Sequence, residues 1–310
     1  MARLRSLIAD PMPLPGAGHT SERHRRLMEV GREDLSLARL AEAHWDAVAI
    51  LAEAGREAEA DTIYGVWASE KASQELSLHQ NGDQFLIEGS KMFCSGAGLV
   101  ERALVTVSFP KSQLVDVDLR INPNSVLFDH SQWKATAFFE TKTASALFRN
   151  ARISSDDLIG EPQWYLQRPG FWHGACGPAA CWAGGAAGLL DYALNQTRNY
   201  PHTLAHLGAM HASVWALASY LDVAGREIDT TNHDYEVALI RALTVRHLVE
   251  QACTDVLRRL PRAYGPHPLA INESVTRRYQ ELDLYLRQSH AERDLEALGA
   301  SLRRTARGGG

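Results

Sequence analysis

Cysteine is scarce in this chain of 310 residues. Cys94, Cys176, Cys181 and Cys253 are the only four, with no CxxC pair and no metal-ligand spacing among them. So few thiols exclude a disulfide-stapled scaffold, indicate no zinc site, and fit a reducing, cytoplasmic setting. An excess of positive charge is missing too: 32 Lys and Arg stand against 37 Asp and Glu, a net charge of -5. Nothing general therefore draws the chain to nucleic acid. The N-terminus holds Arg3 and Arg5 but lacks the apolar core of a signal peptide. One stretch, Pro169 to Leu190, has no charged side chain apart from His173, yet Pro169, Pro178 and six glycines leave it few large aliphatics. Its insertion into a bilayer would be poor, and no membrane span is expected.

What is present is ordinary for a globular protein: 45% hydrophobic and 22% charged residues. The length is enough for a large core divided into two or three domains. Residues 1 to 30, with Pro11, Pro13, Pro15, Gly16 and the charged run Ser21 to Arg26, read as an irregular lead-in containing one short helix. From Asp34 the pattern changes, because Leu37, Leu40, His44, Val48 and Leu51 recur at helical spacing before Gly55. His44 on that stripe reads as a core histidine with a backbone partner.

From Asp61 onward, strand signals dominate for about ninety residues: 63–67, 76–78, 85–87, 103–108, 113–119, 135–139 and 148–153. No helical crossover intervenes, so an antiparallel sandwich or barrel is expected. After Gly170 the chain is helical in character. Ala179 to Thr197 carries a face of small residues (Ala183, Gly184, Ala187, Gly188) that admits a close neighbour, and 211–222, 235–260 and 271–299 follow as long helices. Such lengths suit a four-helix bundle. Domain boundaries are expected at 1–58, 59–165 and 166–303, with a disordered tail over 304–310.

The stretch Gln84 to Gly98 organises the rest. Asn81-Gly82 favours a tight hairpin, Phe85 and Ile87 alternate with polar neighbours, Glu88-Gly89 reads as a turn, and Met92 to Ser95 as a second strand. Phe93 precedes Ser95 by two positions, and Gly96 and Gly98 let a flat ligand approach the backbone.

The run Gly89-x-Lys91-x-Phe93-x-Ser95 resembles the central β-domain of the acyl-CoA dehydrogenase family. The order helix, β-domain, helical bundle extends that resemblance from Asp34 to Gly299. It implies an α+β, mainly α fold: a short N-terminal helical region, a central antiparallel β-domain and a C-terminal four-helix bundle. It further implies FAD in a slot at the rim of the Phe93 loop. In that resemblance Phe93 flanks the flavin ring, Ser95 hydrogen-bonds near its reactive nitrogen, and Val66 and Trp67 line the same strand edge. Arg198, at the end of a helix resembling the family's first bundle helix, falls near the pyrophosphate. A small acyl substrate, acyl-CoA among the choices, and a homodimer or homotetramer are implied as well.

The departures are as informative. Counting along Arg278 to Tyr285 puts Ser289 where the family has its catalytic glutamate and His290 where it has glycine, and a serine hydroxyl is too weak a base for α-proton removal. Gln280 replaces the arginine that would partner Glu281, and the N-terminal region has room for about half the usual helices. Three readings follow from the resemblance: a dehydrogenase of acyl substrates whose base has moved to Glu292; a flavin-dependent monooxygenase in which His290 handles protons; or a non-catalytic paralogue serving as a binding or assembly module.

Overall fold

The computed structural model describes residues 1–69, 76–82, 84–109, 111–230 and 234–308. In chain order the elements are α1 (Ala2–Ile8), α2 (Thr20–Glu33), α3 (Leu35–Glu53), β1 (Tyr64–Trp67), β2 (Leu76–Asn81), β3 (Gln84–Cys94), β4 (Arg102–Phe109), β5 (Lys111–Asp118), β6 (Val126–Asp129), β7 (Ala144–Ile153) and β8 (Leu158–Ile159). Then come α4 (Trp164–Gln167), α5 (Pro169–Gly174), α6 (Cys176–Leu194), α7 (Pro201–Thr230), α8 (Tyr235–Tyr264), α9 (His267–Ile271), α10 (Glu273–Leu286) and α11 (Glu292–Gly308). Two compact units result: Met1–Met12 with Leu40–Phe171, and Pro13–Arg39 with Trp172–Gly310. No helix among the described residues is long and apolar enough to cross a membrane.

The first unit is built on one eight-stranded sheet in the order β6-β7-β3-β2-β4-β5-β8, with β1 also on β4. The expectation of a purely antiparallel β-domain is corrected here. Tyr64 to Trp67 of β1 pair in parallel with Arg102 to Val105 of β4, and β2 meets β4 in parallel at Ser77 and Ser108. Strand periodicity reports which face a residue takes but not its partner's direction, so the mixed pairing left no local mark. β4 lies deep in the sheet, with Ala103, Leu104, Val105 and Val107 all buried.

β3 also differs from the two strands expected. It is one strand of eleven residues that slips register against β7 twice, between Ile87 and Gly89 and between Lys91 and Cys94. Gly89 at φ 120° takes the first slip and Phe93 at φ 60° the second. A bulge shifts register without ending the strand, which is why Glu88-Gly89 read as a turn. Residues 135–139, expected as a strand, form instead a bend leading into a short 3-10 turn, Phe139–Thr141. Buried His44 meets its expected backbone partner, its Nδ1 accepting the Tyr64 N–H at 3.2 Å.

The second unit is helical. α6 is buried almost all round, and α2 lies against it at backbone contact. A Cβ on Gly184 would stand 2.2 Å from the Met28 carbonyl oxygen, and one on Gly31 would stand 2.5 Å from that of Cys181. The lead-in expected over residues 1–30 thus contains a second helix of fourteen residues, whose Leu27, Val30 and Gly31 are buried. α10 and α11 replace the single helix expected over 271–299. Asn272 caps α10 by accepting the Val275 N–H at 3.1 Å, and the chain breaks again over 287–291, where Ala291 takes φ 48°. α11 then runs on to Gly308 through residues expected to be disordered, with Arg304 paired to Glu236 at 2.8 Å. Gly309 and Gly310 lie outside the described residues.

Candidate functional site

In the first unit, the bulge at the end of β3 turns the Phe93 side chain outward, and 52% of that residue is exposed. A bulky residue in the left-handed region is costly, and such backbone is held only where its surroundings impose it. Here the neighbours do so on both sides. The Lys91 ammonium is buried and donates to the Thr106 carbonyl at 2.7 Å and hydroxyl at 2.6 Å. Beyond Phe93, the Gly96 N–H donates to the Thr141 carbonyl at 2.7 Å. Gly96 and Gly98 both have positive φ, and a Cβ on Gly98 would meet nothing within 4 Å. Gly96, expected to admit a flat ligand, is instead buried with Val100 filling the space a Cβ would take at 2.7 Å, so the exposed aromatic stands beside one open glycine, Gly98.

The pairing of Cys94 with Ala144 brings Ser95 beside Thr143. The Ser95 and Thr143 hydroxyls are 3.0 Å apart, and those of Thr143 and Thr141 are 2.8 Å apart. The Thr141 hydroxyl donates to the Phe138 carbonyl at 2.8 Å. Thr141 and Thr143 were not legible as site residues, since only the β3–β7 register carries them there from 46 and 48 positions downstream. Trp67 was expected at the cofactor's edge. The structure buries it to 1% exposure, and its indole N–H donates to the Ser95 carbonyl at 3.0 Å, so it positions the loop rather than presenting its ring. Val66 is half-buried on β1.

In the second unit, His290 sits in the break between α10 and α11 with its side chain 63% exposed. Asp294, one turn along, accepts from the His290 backbone N–H at 3.1 Å and from its Nδ1–H at 3.2 Å. That second bond fixes the tautomer and leaves Nε2 as the imidazole's proton-accepting nitrogen. From the other side, buried Arg246 donates to the Gln288 carbonyl and to the Ala175 carbonyl, each at 2.8 Å, with its guanidinium 4.8 Å from the centre of the Trp182 ring. The His290 turn is thereby tied to α8 two residues before the histidine. Glu292 is exposed in the first turn of α11, where a carboxylate suits the helix dipole. Glu281, left without its family partner by Gln280, is buried and accepts from the Ser36 hydroxyl at 2.7 Å.

Arg198 was expected at a helix end. α6 stops at Leu194, where the Asn195 and Gln196 amides bond back to the Asp191 and Tyr192 carbonyls. Arg198 lies in the following loop, exposed, 5.3 Å from the centre of the Tyr200 ring, itself stacked on His202. Close by, His206 Nδ1 is 3.4 Å from Arg259. Desolvation, then repulsion from Arg259, Arg262, His202 and Arg258, holds the His206 pKa below its usual value. This end of the helical unit is thus rich in cations. Among the described residues no cluster of side chains could hold a metal ion.

No family model matches the chain, and no curated protein matches it. Solved structures do. KijD3 in complex with FMN and a dTDP-amino-keto sugar is similar with a TM-score of 0.80 at 13% identity, over 99% of this chain and 86% of that one. Methanesulfinate monooxygenase MsuC from Pseudomonas fluorescens gives 0.77 at 17%, over 96% and 88%. TdsC from Paenibacillus sp. A11-2, with FMN and indole, gives 0.74 at 16%, over 89% and 81%. At these identities the likeness establishes the fold, which is that of flavin enzymes resembling acyl-CoA dehydrogenases. It also overturns the expectation of FAD, since the flavin in KijD3 and TdsC is FMN, which has one phosphate and no adenosine to house.

Proposed function

We propose that this chain is an FMN-dependent oxidoreductase acting on a small organic molecule. The observation that carries the reading is the Phe93–Ser95 rim: an exposed aromatic held at φ 60° beside a hydroxyl and one open glycine, Gly98. Those residues fit an isoalloxazine. Phe93 would cover one face, Ser95 would meet the edge at the reactive nitrogen, Val66 would line that edge, and Trp67 would hold the Ser95 carbonyl. Arg198, with cationic neighbours, suits a single phosphate as well as it suited the pyrophosphate first expected. When bound, FMN supplies electron transfer to and from carbon or oxygen.

The proton work falls to the chain's own residues. The His290–Asp294 pair supports a monooxygenase, because Asp294 fixes the exposed imidazole in one tautomer with Nε2 presented as a proton acceptor. Oxidation of an acyl thioester is the second reading, with Glu292, three residues on from Ser289, as the base. The chain is proposed to work as a homodimer or homotetramer. Two assays on the purified protein separate the readings: oxygen consumption with reduced FMN for the first, anaerobic bleaching of bound FMN by an acyl-CoA for the second. A protein that binds no FMN is the non-catalytic module instead.

A further inference from the structure

The outer face of α11 repeats with the spacing of a helix seam. Leu295, Gly299, Leu302 and Ala306 follow one another at steps of four, three and four residues, the stagger by which one helix meets another. Ser301 on the opposite face is buried, which turns this seam outward, and Leu295 and Leu302 are 38% and 49% exposed. Beside the seam stand Glu292, Glu296, Arg303 and Arg307, all exposed. Among the described residues none of these four has an ion partner, whereas Arg304, turned toward α8, is paired with Glu236. A groove runs over the middle of the same face, lined by Leu295, Glu296, Gly299, Ala300, Arg303 and Arg307. A Cβ on Gly299 would meet nothing within 4 Å, so the smallest side chains lie at the groove's centre.

We infer that this face joins two copies of the chain, α11 of one packing antiparallel on α11 of the other about a two-fold axis at Gly299 and Ala300. The inference rests on the proposed self-association and names a surface that makes it; it uses nothing of the flavin reading. The charges select the arrangement. Glu296 and Arg303 lie equally far from the point between Gly299 and Ala300, and so do Glu292 and Arg307. A two-fold axis through that point lays each glutamate against an arginine of the second copy, and each arginine against a glutamate. A parallel pair would set glutamate on glutamate and arginine on arginine. Leu295 comes beside Leu302 of the second copy, and the two axes close where the side chains are smallest. Opposite ends of the helix dipoles meet as well. Exposed ion pairs are individually weak and screened by salt, so the contact is modest and salt-sensitive.

The test follows the mass of the purified full chain against its concentration by analytical ultracentrifugation, at low and high salt, for wild type, E296R, R303E and E296R/R303E. All substitutions are at exposed positions, so folding is not at stake. Either single reversal turns both Glu296–Arg303 pairs of the two-fold contact into like charges, and each is expected to weaken association at least tenfold at low salt. An equimolar mixture of E296R and R303E sets arginine on glutamate at both places and is expected to associate as wild type does. The double variant exchanges the charges within each pair and is expected to do the same. A wild type larger than one chain whose association neither reversal changes overturns the α11 contact and leaves self-association standing. Single variants that dissociate but are restored neither by mixing nor by the double exchange overturn the two-fold pairing. A wild type that stays at the mass of one chain throughout overturns self-association and this surface with it.

Discussion

Replacing Phe93 by alanine separates a ligand-facing residue from a core residue. With 52% of the residue exposed and roughly 200 Å² for a phenylalanine side chain, about 100 Å² of ring is open to be covered by a flavin. At about 25 cal/mol per Å² that is about 2.5 kcal/mol, or about 60-fold in dissociation constant. Folding should lose no more than the covered half of the ring contributes, about 2.5 kcal/mol, short of the roughly 3–5 kcal/mol of a phenylalanine truncated in a core. Alanine keeps the same left-handed cost of about 1 kcal/mol that phenylalanine bears at φ 60°, and the ring's open half contributes nothing to the unbound protein. Titration of FMN by fluorescence and urea unfolding without FMN together give both numbers. A change below about threefold in FMN affinity, or an unfolding midpoint that falls as for a core truncation, would refute the assignment of Phe93 to the cofactor.

Packing and proton linkage give further expectations. Gly184→Ala should destabilise the protein by about 3 kcal/mol, because its Cβ would press on the Met28 carbonyl and the Arg32 N–H. Gly208→Ala, on α7 with nothing within 4 Å, should stabilise it by about 0.5–1 kcal/mol; equal effects in urea titrations would contradict the close α2–α6 contact. Burial pushes His24 and His44 down to about 4 from 6.5, His24 giving its Nδ1–H to the Leu221 carbonyl at 2.9 Å. The unfolded chain takes up these protons first, so each histidine's contribution is complete above pH 6.5 and is lost as pH falls to 4, to the extent of about 3 kcal/mol apiece. Asp118 and Asp255 are held below 3.8 by arginine hydrogen bonds that outweigh desolvation, so their loss comes at lower pH. An unfolding midpoint unchanged between pH 7 and 5 would count against this. His290→Asn should slow oxygen consumption by the protein loaded with reduced FMN about 100-fold. Asp294→Asn, which frees the tautomer, should slow it about tenfold; unaltered rates in both would remove His290 from proton handling.

Much of the fold was legible where periodicity and burial agree. The stripe from Leu37 to Leu51 and the small residues of α6 both read correctly, because the first records an apolar face at helical spacing and the second a close approach of a neighbouring helix. What failed was information held in partners rather than in the segment itself. α2 read as lead-in because prolines precede it and charges open it, whereas Gly31 makes sense only opposite Cys181. Phe138 and Lys142 adopt positive φ without being glycine, so the turn between β6 and β7 imitated a strand. The break at 287–291 is marked by no proline or glycine, only by Ala291 at φ 48° and by the hold of Asp294 and Arg246. The site divides the same way. Phe93 and Ser95 lie on one short run and could be read from it, whereas Thr141, Thr143, Asp294 and Arg246 act through register or tertiary contact.

Every role assigned to the Phe93–Ser95 rim requires that the chain bind flavin. Titration of purified, flavin-free protein with FMN, followed by visible absorbance and fluorescence, should reach saturation at one FMN per chain, and S95A and R198A should each require more FMN to reach it. A flavin spectrum that never departs from that of FMN in buffer, at any protein concentration reached, would contradict the claim.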